Sequence, residues 1–258
     1  MRKLLLLLLL AIFVFPVLFL FLKSITFSWR YPDVLPTAFS MRAWEALASE
    51  PQLLPAVGMT LFIGAVVVVL NLLLGIPAAL ALSWVDFRGK VAVETIFFLP
   101  ILVPVLAIAM GLHITMIRLG IADHPAGVIL IHLLPTLPYT IRVLRGGFDR
   151  LDPAWMQLGE TLGAGVFRRI ATIAVPIMAP SLRSAAVLTF VISLSQYVLT
   201  AIIGGGRVTT LPLLYYPFFN SADQAVIAAF SVLFAVLPLL FLFVWETVSS
   251  AAGRLLRP

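Results

Sequence analysis

The sequence contains no cysteine. A disulfide framework, a thiolate metal site and a cysteine nucleophile are therefore all closed to it. Charge is nearly as scarce: 11% of the 258 residues are Asp, Glu, Lys or Arg, against about 25% in an average soluble domain. Three scattered His and no clustered carboxylates leave no metal site and no catalytic constellation. There is no G-x-x-x-x-G-K-[ST] string, so the chain has no phosphate-cradling loop of that kind. What it has in excess is apolar mass, 62% hydrophobic residues with a mean hydropathy of +1.13. A core of this size cannot hide that share from water, which excludes a soluble enzyme and a secreted binding module. Nineteen Phe, five Trp and five Tyr exclude disorder. The expected class is an all-α integral membrane protein.

Apolar runs near the roughly 20 residues that cross a bilayer fall at about 4–22, 56–82, 91–117, 127–141, 184–203 and 225–247. Six transmembrane helices are therefore expected. The fourth run is the shortest and holds Pro135 and Pro138. The first follows Arg2 and Lys3, as a signal peptide would, but Lys23-Ser24-Ile25-Thr26 offers no small-x-small cleavage site, so a retained anchor is expected. With the N-terminus inside, the cytoplasmic segments carry twelve Lys and Arg and the outer segments five. That bias places both termini in the cytoplasm. It also reads the net charge of +6 as topology, with no nucleic-acid partner. The expected organisation is a first span with an outer loop over 1–55, a core over 56–250 and a tail over 251–258. In the outer loop, Trp29 and Tyr31 suit the headgroup belt. Residues 40–49 read as a short surface helix with Ser40 as N-cap and Pro51 beyond its end.

The stretch least like a span is the connection 142–183. Asp152-Pro153 is a helix start, with Asp as N-cap and Pro at the first helical position. Leu151, Trp155, Leu158 and Leu162 follow at helical spacing as one apolar face. Gly163 stands where a helix end takes a left-handed residue. Arg168 and Arg169 open a second segment, expected to be broken by Pro176 and Pro180. The apolar face needs a cover, either the lipid interface or a groove on a cytoplasmic partner.

The spacing Gln157-Leu158-Gly159, three residues, Gly163, nine residues, Ile173-Ala174-Val175-Pro176 resembles the EAA signature of permease subunits of binding-protein-dependent ABC importers. In that family the pattern is Glu-Ala-Ala, three residues, Gly, nine residues, Ile-x-Leu-Pro. Gln157 stands for the Glu and Gly159 for the second Ala, which should weaken the helix by up to about 1 kcal/mol. The resemblance implies a type I importer permease fold and a protein that is not itself an enzyme and holds no cofactor. It implies a multi-pass location in a bacterial inner membrane. The implied partners are a second permease subunit, identical or not, two cytoplasmic ABC ATPase subunits that bind the ATP, and a periplasmic substrate-binding protein. Helix 152–163 would be the coupling lever, with Trp155, Gln157, Leu158, Gly159, Leu162, Gly163, Ile173 and Pro176 as the ATPase-coupling residues. Diffuse similarity also reaches permeases of the polyamine, thiamine, iron and sulfate importers.

On one helix, Thr189, Ser193, Gln196 and Thr200 would lie within about 60° of one another, a polar stripe about 16 Å long. Such a stripe either lines a translocation pathway or makes interhelical hydrogen bonds. Asn71 and His132 are lone polar residues in other spans, each able to touch substrate but more simply satisfied by a neighbouring helix. An ion-coupled secondary transporter is the rival reading, but it would place acids deep in the spans, and all eleven acids fall in loops or near span ends.

Overall fold

The computed structural model describes residues 2–27, 29, 32–36, 38–220 and 223–255, and Tyr31 lies outside them. In chain order the helices are α1 (Arg2–Ser24), α2 (Arg42–Ala48), α3 (Leu53–Trp84), α4 (Lys90–Leu102), α5 (Val105–Arg118), α6 (Pro125–Phe148), α7 (Pro153–Thr161), α8 (Val166–Arg169), α9 (Val175–Leu194), α10 (Tyr197–Ile203), α11 (Leu211–Tyr215) and α12 (Gln224–Leu255). A π turn, Ile170–Ala174, joins α8 to α9, and a 3-10 turn, Tyr216–Asn220, follows α11. Among the described residues the only β pairing is an isolated Thr26–Phe39 bridge. The fold is all-α.

Four described helical stretches are long and apolar enough to cross a membrane: Leu53–Trp84, Pro125–Phe148, Val166–Leu194 and Gln224–Ser250. The run read as a third span, 91–117, is built from two helices, α4 and α5, bent by 99°, the geometry of a broken span or a re-entrant loop. Pro104 explains the bend. Its ring pushes Val103 out of the helical region, to φ −85° and ψ 132°. The run read as 184–203 also changes. Its helix starts much earlier, at Val166, and stops at Leu194, with α10 a separate piece. Pro176 and Pro180 do not break it. Pro176 has no N–H to donate and its ring crowds the carbonyl of Thr172, and the helix accommodates both by widening into the π turn. The non-spanning connection therefore shrinks from 142–183 to residues 149–165.

The chain forms two compact units, Met1–Met59 with Thr209–Leu239, and Thr60–Val208 with Leu240–Pro258. In the first, Tyr215 is the hub. Its ring lies 4.9 Å from Phe230 and 4.4 Å from Phe219, and its hydroxyl donates to the Ile227 carbonyl at 3.1 Å. Helix α2 starts at Arg42 with Met41 as its cap, one residue later than the sequence suggests, while Ser40 Oγ accepts from the Arg42 amide at 3.2 Å. Trp29 Nε1 donates to the Asp33 carbonyl at 3.0 Å. In the second unit, α6 packs along α9. A core of Ala79, Leu82, Ile141, Leu144, Phe148, Leu151, Met178 and Ala185 closes one end of it.

Candidate functional site

Helix α7 is built as a stiff stub. Asp152 caps it, its carboxylate accepting from the Ala154 amide at 2.9 Å, and Pro153 takes the first turn, where a missing N–H costs nothing. At the other end the Ala164 amide donates to the Gly159 carbonyl at 2.9 Å and the Gly163 amide to the Glu160 carbonyl at 2.8 Å. That pair of bonds is a Schellman cap, and Gly163 supplies its left-handed residue at φ +77°. Gly159 is buried, and a Cβ there would stand 3.0 Å from Ile173 Cδ1 and 3.1 Å from Arg169 Cγ. The glycine that weakens the helix as a lone segment thus lets α7 lie close against the start of the long helix. Arg169 staples the two: its Nη1 donates to the Met156 carbonyl at 3.1 Å and to Glu160 Oε2 at 2.6 Å.

The outward face of the stub is apolar. Trp155, Leu158 and Leu162 are 55%, 50% and 79% exposed. Leu151, read as part of that face, is buried instead, because it precedes the cap and its side chain enters the core beside Leu82 and Phe148. Val166 and Phe167, the latter 89% exposed, are further uncovered apolar side chains just beyond the stub. Gln157 and Pro176 are exposed and Ile173 is half-buried against Gly159. The Arg169 staple and Phe167 were missed in the sequence; the Val-Phe-Arg-Arg string was the available signal.

Deeper in this unit the polar residues meet. Asn71 Nδ2 donates to the Val67 carbonyl at 2.8 Å and to Thr136 Oγ1 at 2.9 Å, while its Oδ1 accepts from Thr140 at 3.2 Å. Thr140 and Thr189 hydroxyls are 2.6 Å apart. His132 reaches Ser193 with Nδ1 and Thr200 with Nε2, both at 3.0 Å. The Thr200 hydroxyl spends its only proton on the Gln196 carbonyl at 2.6 Å. With the Thr200 proton so placed, the matching tautomer carries its hydrogen on Nε2 and accepts from Ser193 on Nδ1. Asn71, His132, Thr136, Thr140, Thr189, Ser193 and Thr200 are all buried.

The one-helix stripe is thereby corrected. Helix α9 ends at Leu194, and Gln196, at φ −80° and ψ 72°, sits at the centre of an inverse γ-turn closed by the Tyr197 amide on the Ser195 carbonyl at 2.9 Å. Thr200 belongs to α10, yet a single imidazole still brings it together with Ser193. Gln196 is half-buried and donates to the Ile192 carbonyl at 3.0 Å. Thr136 and Thr140 were overlooked, although they follow His132 in steps of four residues along one face of α6. Of the span-end acids, Glu94 pairs with Arg145 at 2.7 Å and Glu246 with Arg183 at 2.9 Å. No group of three His, Asp or Glu side chains is placed to hold a metal among the described residues.

Residues 71–249, from Asn71 of the polar network through α7 to α12, match the family described as the binding-protein-dependent transport system inner membrane component. The chain belongs to this family. Among curated proteins of the family's kind, it is 29% identical over 147 residues to the molybdate/tungstate transport system permease protein WtpB of Thermococcus kodakarensis, covering 57% of this chain and 59% of that protein. The chain thus spans about three fifths of the length of that relative. It is 25% identical over 201 residues to the spermidine/putrescine transport system permease protein PotC of Haemophilus influenzae, covering 78% of each. A chain from the crystal structure of a bacterial ABC transporter involved in alginate import shares the permease fold, with a TM-score of 0.72 at 17% identity over 96% of this chain and 94% of that one. A second alginate transporter structure, in complex with an alginate pentasaccharide-bound periplasmic protein, gives 0.63 at 16% identity over 83% and 84%.

Proposed function

We propose that the chain is the membrane-spanning subunit of an ATP-driven importer and that α7 is the lever by which a cytoplasmic ATPase moves it. The observation that carries this reading is the pairing of an uncovered apolar face, Trp155, Leu158 and Leu162, with a stub capped at both ends and stapled by Arg169. Exposed aromatic and aliphatic anchors on a rigid helix are what a receiving groove needs. Rigidity is what lets a displacement pass on to the spans without being absorbed. Two ATPase subunits would bind and hydrolyse the ATP, and this chain would hold no cofactor and catalyse no reaction. A second permease subunit would complete the pathway, and a periplasmic binding protein would deliver the substrate. The setting is a bacterial inner membrane crossed several times, with α7 on the cytoplasmic side.

Asn71, Thr189, Ser193 and Thr200 spend their polar groups on neighbouring helices, so their proposed part in translocation is to hold the pathway's wall in register. Gln196, half-buried at the helix break, is the proposed contact with what passes. The secondary-carrier reading loses ground because Glu94 of α4 and Glu246 of α12 are already ion-paired.

The absence of cysteine makes the test clean. A single cysteine replacing Leu162 should react with a membrane-impermeant thiol reagent only in inside-out vesicles, and should cross-link there to a nucleotide-binding subunit. Labelling in intact cells overturns the assignment.

A further inference from the structure

A cavity of about 270 Å3 opens where three helices of the second unit end together, and neither the network nor the lever uses it. Leu82 of α3, Phe97 and Phe98 of α4, and Ile141 of α6 supply an apolar wall. Arg142 and Arg145, in the last two turns of α6, and Glu94 of α4 supply the polar rim. The rim charges are not equivalent. Arg145 is engaged by Glu94 at 2.7 Å, whereas Arg142 makes no ion pair among the described residues and stands 6.0 Å from the centre of the Phe98 ring. A cation–π contact at that distance orients a guanidinium without neutralising it. Arg88 lies in the α3–α4 connection and Lys90 is the first residue of α4, where Asp86 already holds it at 3.3 Å.

We propose that this cavity is a binding site for one anionic phospholipid, with the phosphate on Arg142 and the start of an acyl chain on the Leu82, Phe97 and Ile141 wall. Basic pockets between spans at the cytoplasmic membrane surface suit anionic headgroups. The apolar wall selects the source. A free phosphate ion gains nothing from Phe97 and Ile141, while an acyl chain gains the burial. Val91, Ile96 and Leu99 of α4 are exposed, so the same helix also presents apolar side chains to the chains of a bilayer. The proposal rests on membrane insertion and needs neither the coupling role nor the pathway assignment. Its failure would leave both intact.

The test is native mass spectrometry of the full chain released from nanodiscs made of equal parts phosphatidylglycerol and phosphatidylcholine. Wild type should retain phosphatidylglycerol preferentially. Arg142→Gln should lower that preference about five-fold, the factor matching about 1 kcal/mol per basic side chain at an anionic surface. Glu94→Gln, which releases Arg145, should raise it by a similar factor, a gain that misfolding cannot mimic. Arg150→Gln, which alters another basic residue that donates to Ser181 and does not line the cavity, should leave it unchanged. Equal retention by wild type and Arg142→Gln, no gain in Glu94→Gln, or displacement of the lipid by millimolar inorganic phosphate overturns the assignment. So does a lipid-independent loss of a co-purifying protein from Arg142→Gln, which would make the cavity a protein interface.

Discussion

The lever and the polar network are inverted solutions to the same constraint. Around α7, large apolar side chains face outward and an arginine is tucked beneath the helix. Between α3, α6 and α9, an asparagine, a histidine and hydroxyls are buried while leucines and valines face out. An apolar surface left open outside the spans is an unfinished contact, since burying it would release roughly 25 cal/mol per Å2. A polar group buried among spans must instead be finished already, because leaving it unbonded costs about 1–3 kcal/mol. On the proposed function the first arrangement faces outward to a partner, and the second faces inward to registration.

The largest effect should come from making the lever's face polar. Trp155→Asp together with Leu158→Asp is expected to lower ATP-driven uptake in proteoliposomes more than ten-fold with normal membrane insertion. If uptake is unchanged, the outward half of the comparison fails. Next is Gly163→Val, which forces a β-branched residue to φ +77° at a cost of about 1–2 kcal/mol. Uptake should drop several-fold while ATP hydrolysis continues, read by assaying phosphate release and transport in the same vesicles.

The inward half is tested by His132→Leu, which strands the Ser193 hydroxyl and removes the donor to Thr200. A loss of about 1–3 kcal/mol is expected in detergent unfolding. Thr189→Val keeps the shape and removes one interhelical bond, for about 0.6 kcal/mol. If both changes cost the same, the network is a set of independent pairs and not a clamp centred on one imidazole.

The smallest effect lies in the other unit. The Asp223 carboxyl is held below its ordinary 3.8, first by the hydrogen bond from Arg42, with the Val226 and Ala225 amides helping and burial opposing. A depressed carboxylate stabilises the fold fully above its unfolded pKa, and the gain is lost as pH falls through the folded value. Thermal stability should therefore sag below about pH 4, and Asp223→Asn should flatten that limb. The pair is partly exposed, 43% and 31%, so solvent and salt keep the change small.

The lever was legible because its parts are local. Asp152, Pro153 and Gly163 act on residues no more than four positions away, and caps read the same in any context. Leu151 misled for a related reason: a helical wheel drawn through the N-cap assigns a direction to a residue that is not helical. The bend at Val103 had its signal in Pro104, but averaging hydropathy over a span erases a single proline. The stop after Leu194 has neither proline nor glycine beside it. Ser193 and Thr200 are fastened to His132, some sixty residues earlier in the chain, and no window along the sequence spans that distance. Thr136 and Thr140 were in view, but as single hydroxyls in an apolar run they carry meaning only once Asn71 and His132 are seen beside them.

The widened turn before Pro176 has a geometric consequence. A π turn holds one residue more than the α-helix it interrupts, so the side-chain phase before it is offset by about 100° from the phase after it. Val166 and Phe167 thus point where they do because of one surplus residue upstream of the proline, and α7, pinned to Arg169, takes its bearing from the same offset. The stretch acts as a mounting bracket that sets the compass heading of the stub independently of the helix it is bolted to. Deleting one residue between 170 and 174 should swing the whole bracket around the helix axis and leave the buried hydroxyls beyond it untouched.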